Sequence, residues 1–210
     1  MTITLNGDSG ITTPMYNGTV SANQVTPSVN MKNRIINGAM VIDQRNNGAS
    51  VTPTASAYTL DRWYANISQS SKFSVQQNAG SVTTPAGFTN YLGITSLSAY
   101  SISSSDAFVV YQRIEGNNMA DLGWGTSNAK PVTISFWAKC SVANSTFSIG
   151  LRDGSFSYSY VVPFTITTAN TWQYVTMLIT PPSVGTYSST NSYSLDLHFC
   201  LCALGYAWVM

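Results

Sequence analysis

Charge is what this chain has least of. Charged side chains make up 8% of its 210 residues, where an ordinary globular protein carries about 25%, so Ser, Thr, Asn and Gln must keep its surface in water. Nine basic residues against eight acidic ones leave a formal net charge of +1, which offers no electrostatic footprint for DNA or RNA. Nucleic acid is not an expected partner. Glutamate occurs once, as Glu115, and histidine once, as His198. Glycoside hydrolysis needs two carboxyls within about 5 to 9.5 Å, and aspartates placed mostly in turns, such as Asp43, Asp106, Asp121 and Asp153, nominate no pair.

Cysteine is nearly as scarce. Cys140, Cys200 and Cys202 are too few and too irregularly spaced for a disulfide framework, so reduced, partly buried thiols are expected. His198, Cys200 and Cys202 would share one strand face, but a two-residue strand repeat separates side chains by nearly 7 Å, whereas zinc holds its ligands at about 2.0 to 2.3 Å. No metal and no cofactor are expected. Long apolar runs are missing too: the longest, Phe199 to Met210, falls well short of the roughly 20 residues that span a bilayer. The first residues show neither a basic leader nor an apolar core, so no secretory signal is expected and synthesis is placed in a cytoplasm. On that reading the sequons at Asn17, Asn66 and Asn144 carry no glycan. Gly7-Asp8-Ser9-Gly10 spells the motif around a serine protease nucleophile, but the histidine such an enzyme needs ahead of its serine is absent. Phosphate-binding glycine loops and nucleophile elbows are also missing. The expectation is a protein that is not an enzyme.

What the chain does have is alternation. Val132, Ile134, Phe136, Ala138 and Cys140 fall on one face of an extended segment, with Thr133, Ser135, Trp137 and Lys139 on the other. Phe147, Ile149 and Leu151 repeat the pattern before the turn residues Asp153-Gly154, and Tyr158 to Ile166 repeat it after them. Val175, Met177 and Ile179 form a fourth such face, ended by Pro181-Pro182, which cannot donate to a ladder. These four segments read together as half of an antiparallel sandwich. Upstream, Asn37-Gly38 and Asn46-Asn47-Gly48 read as turns, Met40 and Ile42 as one face, and Tyr58 to Ile67 as a strand with an aromatic entry. Phe73 and Val75, Leu92 and Ile94, and Phe108 to Ile114 mark further strands. Asn117 to Leu122 reads as one helical turn, and Leu195 to Leu201 as the last strand. Eight or nine short strands at roughly 10-residue spacing imply an all-β, antiparallel, jelly-roll-like β-sandwich.

Residues 1–32 have no sustained period and too little apolar content to offset their chain entropy, so they read as an extended N-terminal arm before a sandwich spanning 33–210. The apolar tail Ala203 to Met210 has the opposite problem and calls for a covering surface. A homo-oligomer answers both needs.

Twelve Tyr, eight Phe and five Trp invite a search for a binding surface. Most should lie in the core or between subunits, but the outward phase of Trp137 and Tyr64 suits stacking against sugar rings, so these two are the candidate ligand-binding residues. Among so few charges, Asp61, Arg62, Arg113 and Glu115 stand out. A structural pairing of Arg62 or Arg113 with Asp61 or Glu115 at the sandwich edge is expected, with an anion or sugar-carboxylate clamp as its functional counterpart.

Four segments carry a family resemblance: Asn33-Arg-Ile-Ile-Asn-Gly-Ala-Met-Val-Ile-Asp-Gln-Arg, Tyr58-Thr-Leu-Asp-Arg-Trp, Pro131-Val-Thr-Ile-Ser-Phe-Trp-Ala-Lys and Thr171-Trp-Gln-Tyr-Val-Thr. In this order they resemble a jelly-roll domain of tailed-bacteriophage virion proteins, of tail-fibre-like or capsid-decorating type, over about residues 33–202. The opening Thr2-Ile-Thr-Leu-Asn-Gly-Asp-Ser-Gly-Ile is similar to the start of such proteins. The resemblance implies a non-enzymatic structural protein on the virion surface, of tail-fibre or receptor-binding type. It also implies a shape related to carbohydrate-binding modules, and often a homotrimer. Capsid decoration and recognition of host surface polysaccharide are the alternatives. Other virion proteins, met through the N-terminal arm, and host surface glycans are the partners that follow.

Overall fold

The computed structural model describes residues 32–201. The chain divides into two compact units, Met1–Asn33 and Arg34–Met210, and the account below concerns the second. The expected arm, the tail from Ala203 and Cys202 lie outside the described residues. Ten strands follow in order: β1 (Ala57–Leu60), β2 (Trp63–Ile67), β3 (Phe73–Gln77), β4 (Leu92–Ser96), β5 (Phe108–Glu115), β6 (Val132–Ala138), β7 (Ser145–Asp153), β8 (Ser159–Ile166), β9 (Gln173–Ile179) and β10 (Tyr193–Cys200). One layer is a six-stranded antiparallel sheet ordered β1-β2-β5-β10-β7-β8, and the other consists of the pairs β3-β4 and β6-β9. The fold is a jelly-roll-like β-sandwich.

Alternation decides which residues go inward. Val110, Ile114, Ile149, Leu151, Leu197 and Phe199 from the six-stranded sheet meet Phe73, Val75, Leu92, Ile94, Ala138, Val175 and Ile179 from the other layer in one apolar core. The layers interlock through aromatic edges. Phe136 on β6 lies 5.1 Å from Phe164 and 5.3 Å from Phe199, and Phe73 on β3 lies 6.4 Å from Phe108, all near-perpendicular.

Several expectations are corrected. The four segments from Val132 to Ile179 do not form one half of the sandwich: β7 and β8 join the six-stranded sheet, while β6 and β9 pair with each other across the core. Alternation reports which face of a strand is buried but not which sheet the strand joins. Tyr58 to Ile67 is two strands, because Asp61-Arg62 turns the chain with Arg62 at φ 73 and Leu60 paired to Trp63. Met40 and Ile42 share no strand face; Met40 is fully buried at φ 55, and Ile42 is exposed. Asn117 to Leu122 is divided between two short 3-10 turns, Gly116–Asn118 and Ala120–Leu122.

Gly116 shows how tightly this end is closed. Its N–H donates to Ser192 O at 2.8 Å and the Asn117 N–H to Thr190 O at 2.8 Å, and a Cβ on Gly116 would sit 2.4 Å from Ser188 O and 2.7 Å from Thr190 O. Backbone oxygens cannot rotate aside as a side chain can. Gly116→Ala should therefore lower stability by about 3 kcal/mol, read as a shifted urea midpoint. An unchanged midpoint would mean that the 188–192 loop moves freely and that this closure is not a constraint.

Candidate functional site

The outward face of the six-stranded sheet is built in register rows. One row runs Tyr58, Tyr64, Tyr111, His198, Gly150, Val161, one residue from each strand in spatial order. The next row places Arg113, Asp196, Arg152 and Ser159 side by side on β5, β10, β7 and β8. Adjacent side chains on one sheet face stand within contact range, so each row is a continuous surface.

The rings touch in sequence. Tyr58 meets Tyr64 edge-on at 5.0 Å, Tyr64 meets Tyr111 at 5.1 Å, and Tyr111 stacks on the His198 imidazole at 4.8 Å. Beyond His198 the row drops to Gly150, which contributes no side chain. Exposure falls toward the middle: Tyr58 is 44% exposed and Val161 60%, but Tyr111 only 8% and His198 7%. The Tyr64 hydroxyl donates to Ser56 O at 3.0 Å, fixing that ring. Burial raises the Tyr111 phenol above its ordinary value, with Arg113 partly offsetting the effect, so the group is neutral near pH 7.

Two polar atoms at the centre make no hydrogen bond within the protein. Asp196 is 2% exposed although it lies on the outward face, and neither its Oδ1 nor the His198 Nε2 has a hydrogen bond. Arg113 Nε stands 3.4 Å from Asp196 Oδ1, and His198 Nε2 stands 3.7 Å from Asp196 Oδ2. The first contact is an ion pair without hydrogen-bond geometry, and the second is too long for a hydrogen bond. A buried polar atom left this way costs about 1–3 kcal/mol. Four arginines rim the surface: Arg45 lies over the Tyr58 ring at 4.8 Å, Arg113 over Tyr193 at 4.7 Å and Arg152 over Phe156 at 4.5 Å, while Arg62 is tied to Glu115.

Of the residues singled out from the sequence, Tyr64 lies in this row. Trp137 does not. It stands on the outward face of the opposite layer, paired with Tyr174 at 5.3 Å, so Trp137 and Tyr64 cannot contact one small ligand together. Arg62 pairs with Glu115 at 2.7 Å, and Asp61 faces Arg45 at 3.9 Å. Burial pushes the Glu115 carboxyl up, but hydrogen bonds led by Arg62 outweigh it and hold the group below its usual value. Arg113 turns to Asp196 instead. Tyr58, Tyr111, Asp196 and His198 were missed as site residues. The alternation of β10 put Asp196 and His198 opposite its leucines, and that polar phase in so apolar a segment was the available signal. Among the described residues no group of three His, Cys, Asp or Glu side chains is placed to hold a metal.

The motifs Asn33-Arg-Ile-Ile-Asn-Gly and Asp61-Arg-Trp meet in space. Asn37 Nδ2 donates to Ile42 O and Asp61 O, Asn37 Oδ1 accepts from Ile42 N–H, and the Trp63 indole donates to Asn37 O at 3.1 Å. Ile36 is held by both amide atoms of Gln112, each bond 2.8 Å. These contacts lock backbone and leave no group aimed at a ligand.

No family model matches the chain, and no curated protein matches it in sequence. Among solved structures, it is similar to a candidate sugar-binding protein from Bacteroides thetaiotaomicron, with a TM-score of 0.53 and 13% identity over 85% of this chain and 96% of that one. It also matches the enzymatically active domain of tailspike protein 4 of bacteriophage CBA120, with a TM-score of 0.43 and 14% identity, over 84% of this chain. This chain spans only 20% of that tailspike structure. A third match is TmCBM61, solved in complex with β-1,4-galactotriose, with a TM-score of 0.40 and 13% identity over 70% of this chain.

Proposed function

We propose that this protein is a non-enzymatic glycan-binding sandwich carried on the exterior of a tailed-phage particle, where it engages host surface polysaccharide. The observation that carries the binding role is the register row Tyr58-Tyr64-Tyr111-His198, a continuous line of rings beside the Arg113–Asp196 ion pair on the outward sheet face. Sugar rings have apolar faces that stack on tyrosine and hydroxyls that hydrogen-bond outward. The exposed Tyr58 and the half-buried Tyr64 supply the stacking wall. Asp196 and His198, 2% and 7% exposed, lie beneath this wall, Asp196 holding Arg113 by an ion pair and His198 backing the Tyr111 ring. The fold shared with the candidate sugar-binding protein from Bacteroides supports this reading. The four motifs quoted above support the virion setting and, through the family they resemble, a homotrimer; the low apolar content of residues 1–32 supports attachment to other virion proteins through that segment.

Glycan-array binding by the full-length protein tests the site. Tyr64→Ala should reduce affinity for the preferred glycan by about tenfold or more, equivalent to about 1.4 kcal/mol, with circular dichroism unchanged, while Trp137→Ala should leave it as it was. Loss with Trp137→Ala alone would move the site to the Trp137–Tyr174 face, and flat binding across all glycans would end the reading. Immuno-labelling of intact particles tests the setting, and an unlabelled exterior would refute it.

A further inference from the structure

The glycan such a face would hold can be narrowed by its charges, an inference that rests on the binding role proposed above. We infer that the six-stranded sheet binds an acidic sugar, with the carboxylate of a uronic- or sialic-acid unit taken between Arg113 and Arg152. Asp196 sits between these two arginines in register, Arg113 on β5 and Arg152 on β7. The row thus holds two guanidinium groups and one carboxylate, an excess of one positive charge before His198 is counted. Arg113 meets Asp196 through Nε at 3.4 Å, and its side chain is 43% exposed. No carboxylate lies within ion-pair reach of Arg152 among the described residues; its neighbour is the Phe156 ring.

Arg152, in a strand beside a buried acid and stacked on Phe156, keeps its N–H donors available to a carboxylate. Guanidinium groups meet carboxylates through paired N–H donors, and such charge-assisted bonds are about twice as strong as neutral ones. Asp196 lies between the arginines, and His198 and Gly150 lie in the adjoining row. Gly150 faces His198 with no side chain, and a Cβ there would meet His198 Cβ at 3.5 Å, filling the space that a ring substituent would enter. The outward face of β6-β9 presents Thr133, Ser135, Trp137, Tyr174, Thr176 and Leu178 in register, with no charged side chain. The paired arginines belong to the six-stranded face.

Calorimetric titration of the full-length protein with tetragalacturonate, its carboxyl-reduced neutral counterpart and α2,8-linked trisialic acid tests this. At least one acidic ligand should bind about tenfold tighter than the neutral one, and the preference should shrink as NaCl rises from about 50 to about 500 mM. Arg152→Gln and Arg113→Gln should each abolish most of the preference. Lys72→Gln, which removes the same charge from the opposite layer, should leave it intact. Equal affinity for acidic and neutral ligands, or a preference that survives Arg152→Gln, overturns the acidic class while the glycan-binding face stands. Failure of every ligand, neutral and acidic, overturns the glycan reading itself.

Discussion

Trp63→Ala is expected to cost about 3–5 kcal/mol, a large share of the 5–15 kcal/mol that holds a typical domain folded. Two losses add. Trp63 is 1% exposed and packs against Phe199 at 6.1 Å, so truncation opens a cavity where β2 meets the sheet centre. Its indole N–H also satisfies Asn37 O, the residue whose side chain holds Ile42 and Asp61. Trp63→Phe keeps much of the volume and loses only that hydrogen bond, so it should cost about half as much or less. Urea unfolding of the pair separates the terms, and equal midpoints for the two variants would show that the indole hydrogen bond, not the volume, carries the effect.

The second large effect is at Asp153, a fully buried carboxylate that ties two loops to the end of β7. Oδ1 accepts from Tyr158 N–H at 2.9 Å, and Oδ2 accepts from Ser155 Oγ at 2.5 Å and Thr186 N–H at 2.9 Å. Asp153→Ala should cost about 3–4 kcal/mol, because two backbone N–H groups lose a charged acceptor together. Burial by itself would raise this carboxyl, but the hydrogen bonds outweigh it and hold it at about 2. Since the unfolded value is about 3.9, folding favours the ionised form. The contribution is fully present above about pH 4 and is lost as pH falls toward about 2. The stability difference between wild type and Asp153→Asn should therefore narrow on acidification across that window. A gap that stays constant from about pH 5 to about pH 2 would show that the charge is not what Asp153 supplies.

Strand positions were readable wherever one face was apolar and the other polar, as in Phe147 to Leu151, Phe108 to Ile114 and Leu195 to Phe199, because period-2 alternation is the direct imprint of one buried side. The Asp61-Arg62 turn was not readable. Arg62, the residue at positive φ, does not favour it, and the turn is held on one side by Asn37 and Gln44 at Asp61 and on the other by Arg62's bonds to Arg113 O and Glu115. Pairing was also hidden. Nothing in Val132 to Ile179 says that β6 must skip the hairpin beside it to reach β9, since that choice is made by how four faces close over one core. The site was half legible. Tyr64 and Arg113 could be nominated one at a time, but the surface that joins them to Tyr111, Asp196 and His198 exists only through the registers of three strands that lie far apart in the chain.

The position of β10 bears on how the molecule is made. It lies between β5 and β7, yet it is the last of the ten strands to leave the ribosome. Until Tyr193–Cys200 emerges, β1-β2-β5 and β7-β8 are separate ribbons, and the facing edges of β5 and β7 both carry unpaired N–H and C=O groups. Such edges are templates for pairing with other chains. The final insertion joins segments widely separated in sequence, the kind of closure that makes β-sandwiches slow to fold. A nascent chain paused before residue 193 is thus at its most adhesive, and crowded polysomes are where its losses to aggregation should concentrate.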